Sequence, residues 1–302
     1  MSTFTLAAAD PVAHVINHPF MVNADGWWLW SSAQTNMVIT AIIMIFGGFI
    51  VAKAVSTGAE GDGHHRWVTK SRFGHTVEVI CGYLRENTVR PLLNERTNMY
   101  MPFLWTVFFF ILINNLLGLI PLLDAQNLLN PEMAAEHRAF IGGTATQSIY
   151  VTAALSLLAG LMINYAGLKE MGIKSYIGHM TGGVPVKPLY LPIVALVFLI
   201  EFAGTFIKPI ALSIRLFANM TAGHILVAVL LGFAADGFGN LGIIGLPVGV
   251  VSSVAVIAIY FLELFVAFLQ AFVFMFLTTV FISLLAHHGE HDHDHEGAPA
   301  HA

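Results

Sequence analysis

Residues 189–235 read LYLPIVALVFLIEFAGTFIKPIALSIRLFANMTAGHILVAVLLGFAA, and residues 246–286 read LPVGVVSSVAVIAIYFLELFVAFLQAFVFMFLTTVFISLLA. A bilayer core about 30 Å thick needs about 20 apolar residues in helix. At ~1.5 Å per residue each stretch exceeds that thickness about twice over. Backbone groups in lipid must pair within their own segment, so both stretches should be helical. Between them lies Asp236-Gly237-Phe238-Gly239-Asn240, a loop signal. Nothing inside 246–286 marks a turn, because Pro247 sits at the start, where proline is tolerated. The reading is a hairpin of two long, tilted helices.

Three shorter apolar runs precede this hairpin, at roughly 36–54, 102–123 and 146–168. Residues 72–96 mix Arg72, Glu78, Arg85, Glu86 and Arg90 with Val77, Ile80, Tyr83 and Leu84, the pattern of an amphipathic helix lying at a membrane interface. A plain loop is the simpler alternative. The expected fold is an all-α membrane protein: an N-terminal segment (1–34), a multi-pass domain of five spans (35–286) and a His- and acid-rich tail (287–302).

Composition agrees. The chain has 302 residues, 57% hydrophobic and 10% charged, with mean hydropathy +0.75. A soluble domain carries about 25% charged residues, so a soluble chain this apolar would lack a wettable surface. Cys81 is the single cysteine, which excludes a disulfide framework and a cysteine metal site. Residues 1–34 hold no Lys or Arg and no sufficient apolar core, unlike a cleaved signal.

Orientation follows from the basic residues. Of 13 Lys and Arg, Lys53, Arg66, Lys70, Arg72, Arg85, Arg90 and Arg96 fall in 53–96, and Lys169, Lys174 and Lys187 in 169–187. The 124–145 segment holds only Arg138, beside Asp124, Glu132 and Glu136. The two basic segments are therefore expected in the cytoplasm, with the N-terminus outside. Five spans then place the C-terminus inside.

Lys208 and Arg215 are the remaining cations, and both stand within an apolar run. A charge near mid-bilayer is costly, faces a bundle interior or a water path, and marks function by default. The set here is Glu201, Lys208, Arg215, Asn219, His224, Glu263 and Gln270, all in the final hairpin. At ~100° per residue, Glu201, Lys208 and Arg215 drift only about 20° per seven-residue step and share a stripe. Asn219, four beyond Arg215, joins that face. Glu263 and Gln270, also seven apart, share a face of the last helix. His224, nine beyond Arg215, looks nearly the opposite way. Pro209 is expected to kink the helix.

Arg is effectively always protonated. It cannot relay protons by titrating, but it holds a fixed positive charge. Glu and His can titrate. A chain of Glu and His beside a permanent cation suits a proton path with an electrostatic barrier. The simpler alternative is that Arg215 pairs with Glu263 or Glu201 and merely locks helices, although buried pairs are weak evidence of stability. His224 alone could be a packing histidine. Haem ligation is disfavoured, because the other spans offer no partner His.

The run Lys208-Pro-Ile-Ala-Leu-Ser-Ile-Arg215-Leu-Phe-Ala-Asn219-Met-Thr-Ala-Gly223-His224 resembles the signature of subunit a of F-type ATP synthases. So do Leu269-Gln270-Ala-Phe-Val-Phe-Met-Phe-Leu-Thr278 and Asn114-Asn115-Leu-Leu-Gly118-Leu-Ile-Pro121. The likeness covers roughly 100–286. It implies that Arg215 is the essential arginine facing the carboxylate of a rotating subunit c ring, with Asn219 and Gln270 as polar neighbours. It implies that His224 and Glu263 line the half-channel open to the outside, with acid and imidazole exchanged relative to many bacterial members. Glu201 resembles an acid of the cytoplasmic half-channel, with Lys208 near the path. Where the family often has Asp and Asn, around 146–152, this chain has Ser148 and Tyr150, which removes the usual polar groups there.

The resemblance implies a proton-translocating stator subunit with no catalytic site of its own and no cofactor or metal. It implies a bacterial inner-membrane location, with the c ring, the b peripheral stalk and the rest of the complex as partners. No P-loop pattern is present, in keeping with a subunit that binds no nucleotide; nucleic acid is not expected either. Two other classes remain open from the residues alone. A proton-coupled secondary transporter would predict broken helices or an inverted repeat. A membrane anchor of a redox complex would predict paired intramembrane histidines. The tail His287-His288-Gly-Glu-His291-Asp-His293-Asp-His295-Glu296 reads as a solvated segment, with weak metal binding as the alternative.

Overall fold

The computed structural model describes residues 17–23, 25, 27–55, 71–120, 122, 126, 139–181, 191–239 and 242–296. The side chains of 174, 177, 179–180, 191, 242–244 and 286–296 stand outside that description. The 1–16 segment, most of the 53–71 and 124–145 loops and all of the 182–190 connection fall outside it as well.

The chain opens with a two-stranded antiparallel hairpin, β1 (Pro19–Val22) and β2 (Trp28–Ser31), in which Met21 faces Trp30 and Val22 faces Trp28. Helices follow: α1 (Ser32–Val55), α2 (Arg72–Tyr83), α3 (Arg90–Leu93), α4 (Thr97–Leu119), α5 (Ile149–Met180), α6 (Leu191–Gly239) and α7 (Gly242–Glu296). A π turn (Leu84–Val89) and a 3-10 turn (Asn94–Arg96) join α2, α3 and α4. The hairpin is the one departure, among the described residues, from an all-α fold.

Among the described residues, five helical stretches are long and apolar enough to cross a bilayer: Ser32–Val55, Arg72–Leu119, Ile149–Ile173, Pro192–Gly239 and Gly245–Leu285. Their number is the five expected, but the second stretch begins at Arg72 rather than 102, because the expected interfacial segment runs on into the same helical stretch. The 72–96 segment is helical and starts at Ser71, whose side chain accepts from the Gly74 N–H, an N-cap. The long apolar run of α6 is one helix that continues across Pro209. It also continues through Asp236–Gly239, so the expected loop there is shorter than the sequence suggests. Small residues explain how the chain turns back so tightly: a Cβ on Gly237 would lie 2.5 Å from the backbone N of Gly249 on α7. Helix α7 runs past the apolar stretch, and its backbone stays helical through the His- and acid-rich run to Glu296.

The chain forms two compact units. One comprises Met1–Phe49, Phe108–Thr152 and Ile214–Phe272; the other comprises Ile50–Val107, Ala153–Ser213 and Val273–Ala302. The first has a core of Ile111, Leu112, Leu216, Met220, Ala267 and Ala271, with α1 fastened by the Asn36 side chain donating to the Gly142 and Gly143 carbonyls. The second buries Tyr100, Leu104, Ile163, Phe274, Met275 and Ile282, and Ser283 donates to the Leu92 carbonyl at 2.8 Å. Apolar packing alone adds little between helices in lipid, so such interhelical polar contacts and close small-residue approaches carry much of the specificity.

Candidate functional site

In the first unit, helices α6 and α7 hold five of the polar residues singled out from the sequence. Arg215 is exposed and makes no hydrogen bond or ion pair among the described residues. It therefore does not lock onto Glu263. One turn on, Asn219 donates its Nδ2 to Gln270 Oε1 at 2.9 Å, and Gln270 is buried. A fixed cation thus stands free beside an amide pair that joins the two helices.

His224 faces elsewhere, as its spacing from Arg215 predicts. Nδ1 lies 2.9 Å from the Met220 carbonyl and Nε2 lies 3.0 Å from the Gly118 carbonyl on α4. A neutral imidazole has one N–H and can serve only one of these acceptors; the doubly protonated ring serves both. The Glu263 carboxylate is buried, and its Oε1 lies 3.7 Å from His224 Nδ1 with no hydrogen-bond partner. That distance is too long for a direct hydrogen bond and short enough for strong charge coupling. Gly223 makes the approach possible: a Cβ there would sit 2.5 Å from Glu263 Oε1.

A second layer supports this pair. Thr146 donates to Asn115 Oδ1 at 2.8 Å, and Asn115 Nδ2 reaches the Ala267 carbonyl on α7 at 3.5 Å. Gly118, whose carbonyl meets His224, is pressed so closely by Thr144 that a Cβ would overlap its Oγ1. Sequence reasoning treated Asn114 and Asn115 only as marks of resemblance and missed this role for Asn115. The signal was present, since two adjacent amides in an apolar span are costly unless satisfied. Ser148 is buried, whereas Tyr150 is 84% exposed.

In the second unit, Glu201 and Lys208 line a small cavity with Asn164, Tyr176, Thr205 and Pro209. Its volume, about 30 Å³, suits a single water. Glu201 and Lys208 form no ion pair there; Lys208 Nζ sits 5.3 Å over the Phe281 ring. Tyr176 donates its hydroxyl to Asn164 Oδ1 at 2.5 Å, and Asn164 donates to the Gly160 carbonyl. Burial pushes the Tyr176 phenol above its ordinary range, so it stays a donor. The sequence reading did not include Asn164 or Tyr176. They meet because α5 bends at Gly172 (φ 74°, ψ 162°), a conformation essentially reserved for glycine, which folds Tyr176 back onto its own helix. No cluster of three or more His, Cys, Asp or Glu able to hold a metal occurs among the described residues.

A sequence profile described as the ATP synthase A chain matches residues 35–283. The chain belongs to the ATP synthase A chain family. Among the A-chain relatives, the ATP synthase subunit a of Chlorobium phaeobacteroides is 35% identical over 294 residues, covering 97% of this chain and 75% of the relative. That of Myxococcus xanthus is 35% identical over 282 residues, covering 90% and 77%. That of Anaeromyxobacter dehalogenans strain 2CP-1 is 39% identical over 224 residues; the match covers 72% of this chain and half the length of that relative. All the A-chain polar residues described above lie within the matched 35–283 segment. Family membership and five apolar helices together make this a multi-pass, all-α membrane protein.

Proposed function

We propose that this chain is the proton-carrying stator subunit of the membrane sector of a rotary ATP synthase, in a bacterial inner membrane. The observation that carries the reading is a division of labour on one pair of helices. An unneutralised guanidinium, Arg215, stands exposed beside the Asn219–Gln270 pair, while a titratable pair, Glu263 and His224, lies buried on another side.

In the proposed cycle a proton from outside reaches the Glu263–His224 pair and passes to a carboxylate on a neighbouring ring of small subunits. The neutralised carboxyl can then face lipid at low cost. After nearly a full turn it ionises into a second half-channel, to which Glu201, Lys208, Asn164 and Tyr176 are assigned. Arg215 favours that ionisation and blocks a direct leak between the half-channels. Each charge moved through 100 mV is worth ~2.3 kcal/mol, so several protons must pass for each ATP made. The subunit itself performs no covalent chemistry. Its partners in this reading are the c ring, the b stalk and the remaining ATP synthase subunits. Two rival classes lose ground. A redox anchor needs paired imidazoles, and His224 instead faces two backbone carbonyls. A transporter of broken helices fits poorly with α6 and α7, each a continuous helix.

The test is Arg215→Ala in the assembled complex. Proton-driven ATP synthesis should be abolished while the subunits still co-purify. Normal synthesis in that variant would remove the arginine, and the reading with it.

A further inference from the structure

We propose that the β1–β2 hairpin is a membrane-interface anchor whose partner is the headgroup and upper acyl-chain layer of the bilayer. Hairpin side chains are unusually bare: Trp27 is 76% exposed, Leu29 59%, Trp28 53% and Met21 52%. In an antiparallel pair successive side chains point to opposite faces, so Trp28 and Leu29 leave both faces of this ribbon apolar and uncovered. An isolated two-stranded ribbon is marginally stable at best in water and needs a further packing partner. Among the described residues this one is covered only in part, where Phe20 packs on Phe140 and Ser31 is buried.

Position identifies the medium. Ser31 ends β2 and Ser32 begins α1, with no residue between. Helix α1 has 24 residues, about 36 Å, which fills the ~30 Å hydrocarbon layer, so its first residue lies near the membrane boundary. The hairpin is therefore held at that boundary. It is also held firmly. The Asn17 side chain accepts from Ser32 Oγ and the Ala33 N–H, the Ala139 N–H donates to the Pro19 carbonyl, and the Phe20 and Phe140 rings meet edge to face at 5.0 Å. Its bare surface continues into that of α1, where Val38, Ile42, Ile45 and Phe46 are exposed.

The side-chain chemistry matches the interface rather than the acyl core. Indole rings collect at membrane–water boundaries because one edge is apolar and the N–H wants a wet partner. Trp30 spends its N–H on Thr35 Oγ1 at 2.7 Å, whereas Trp27 and Trp28 have no side-chain partner among the described residues. Asn23 and Asp25 at the turn give the ribbon a polar tip for the aqueous side.

The full chain carrying Trp67→Phe and Trp105→Phe leaves the three hairpin indoles as its only tryptophans. Trp105→Phe gives up no hydrogen bond, because the buried Nε1 of Trp105 has no partner. Reconstituted in nanodiscs, this variant should lose emission to lipids brominated high on the acyl chain. It should lose less to lipids brominated near the chain end, and little to aqueous iodide. Strong iodide quenching without bromolipid quenching would put the hairpin in water. Protection from both quenchers would put it beneath protein, either a second copy or another part of this chain. Either result overturns the proposal.

Discussion

At the residue scale, the space around Glu263 is set by what Gly223 lacks. The carboxylate occupies the volume a Cβ would need, with Oε1 2.5 Å and Cδ 3.3 Å from that position. Gly223→Ala must push the carboxylate off its place beside His224. Overpacking of this kind costs about 1–3 kcal/mol. Gly232→Ala on the same helix is the control, since a Cβ there meets nothing within 4 Å and alanine favours helix by roughly 0.5–1 kcal/mol. Thermal unfolding in detergent and ATP-driven proton pumping in vesicles should both fall for Gly223→Ala and hold for Gly232→Ala. Equal behaviour of the two variants would mean the carboxylate position is irrelevant. The charged and imidazole groups of this site were legible in the sequence, because each is conspicuous in an apolar run. The Asn114-Asn115 pair was a signal in itself, but which of the two amides reaches across was not legible, and Thr146 was not legible at all. Small amides and hydroxyls in apolar helices often bond only to their own backbone, as Asn114 does to the Phe110 carbonyl, and composition cannot separate those from the ones that reach a second helix.

At the element scale, helix existence was legible and helix ends were not. Hydrophobic length alone located all five spans, since the bilayer thickness dictates it. Pro209 does not end α6, whose helix continues past it, while α5 breaks its geometry at Gly172, where the backbone takes a conformation open to glycine. Charge in 169–187 also masked the helix there. Lys169 and Glu170 sit on a continuing helix, with Glu170 bound to Arg96 at 3.0 Å and accepting from Tyr100. The bend gives a sharp expectation. At φ 74° and ψ 162°, Gly172→Ala should cost on the order of 1–3 kcal/mol. It should also pull Tyr176 away from Asn164. Gly178→Ala, in helix with open space around its Cβ, should be neutral or slightly stabilising. A Gly172→Ala protein that unfolds no earlier than Gly178→Ala would show that the bend carries no strain.

At the scale of the whole molecule, topology ties the proposed proton path to a direction, and it can be tested without any partner subunit. An odd number of spans puts the two ends of the membrane domain on opposite sides. The basic residues choose which side, through the bias of Lys and Arg toward the cytoplasm. Three exposed positions sample the alternatives: Asp25 in the hairpin turn, His75 on α2 and Gly178 beyond the bend of α5. One span separates Asp25 from His75; His75 lies at the start of the Arg72–Leu119 stretch, which with Ile149–Ile173 separates it from Gly178. In a Cys81→Ser background, which removes the native thiol, each position becomes a single cysteine. A membrane-impermeant maleimide added to intact cells whose outer membrane has been opened should label Asp25→Cys and spare His75→Cys and Gly178→Cys. Inverted vesicles should give the opposite pattern. Labelling of His75→Cys and Gly178→Cys from opposite sides would break the five-span parity. Labelling of both from outside would keep the parity but reverse the chain. Glu263 and His224 would then serve the cytoplasmic half-channel, and the proposed direction of proton uptake would have to be exchanged.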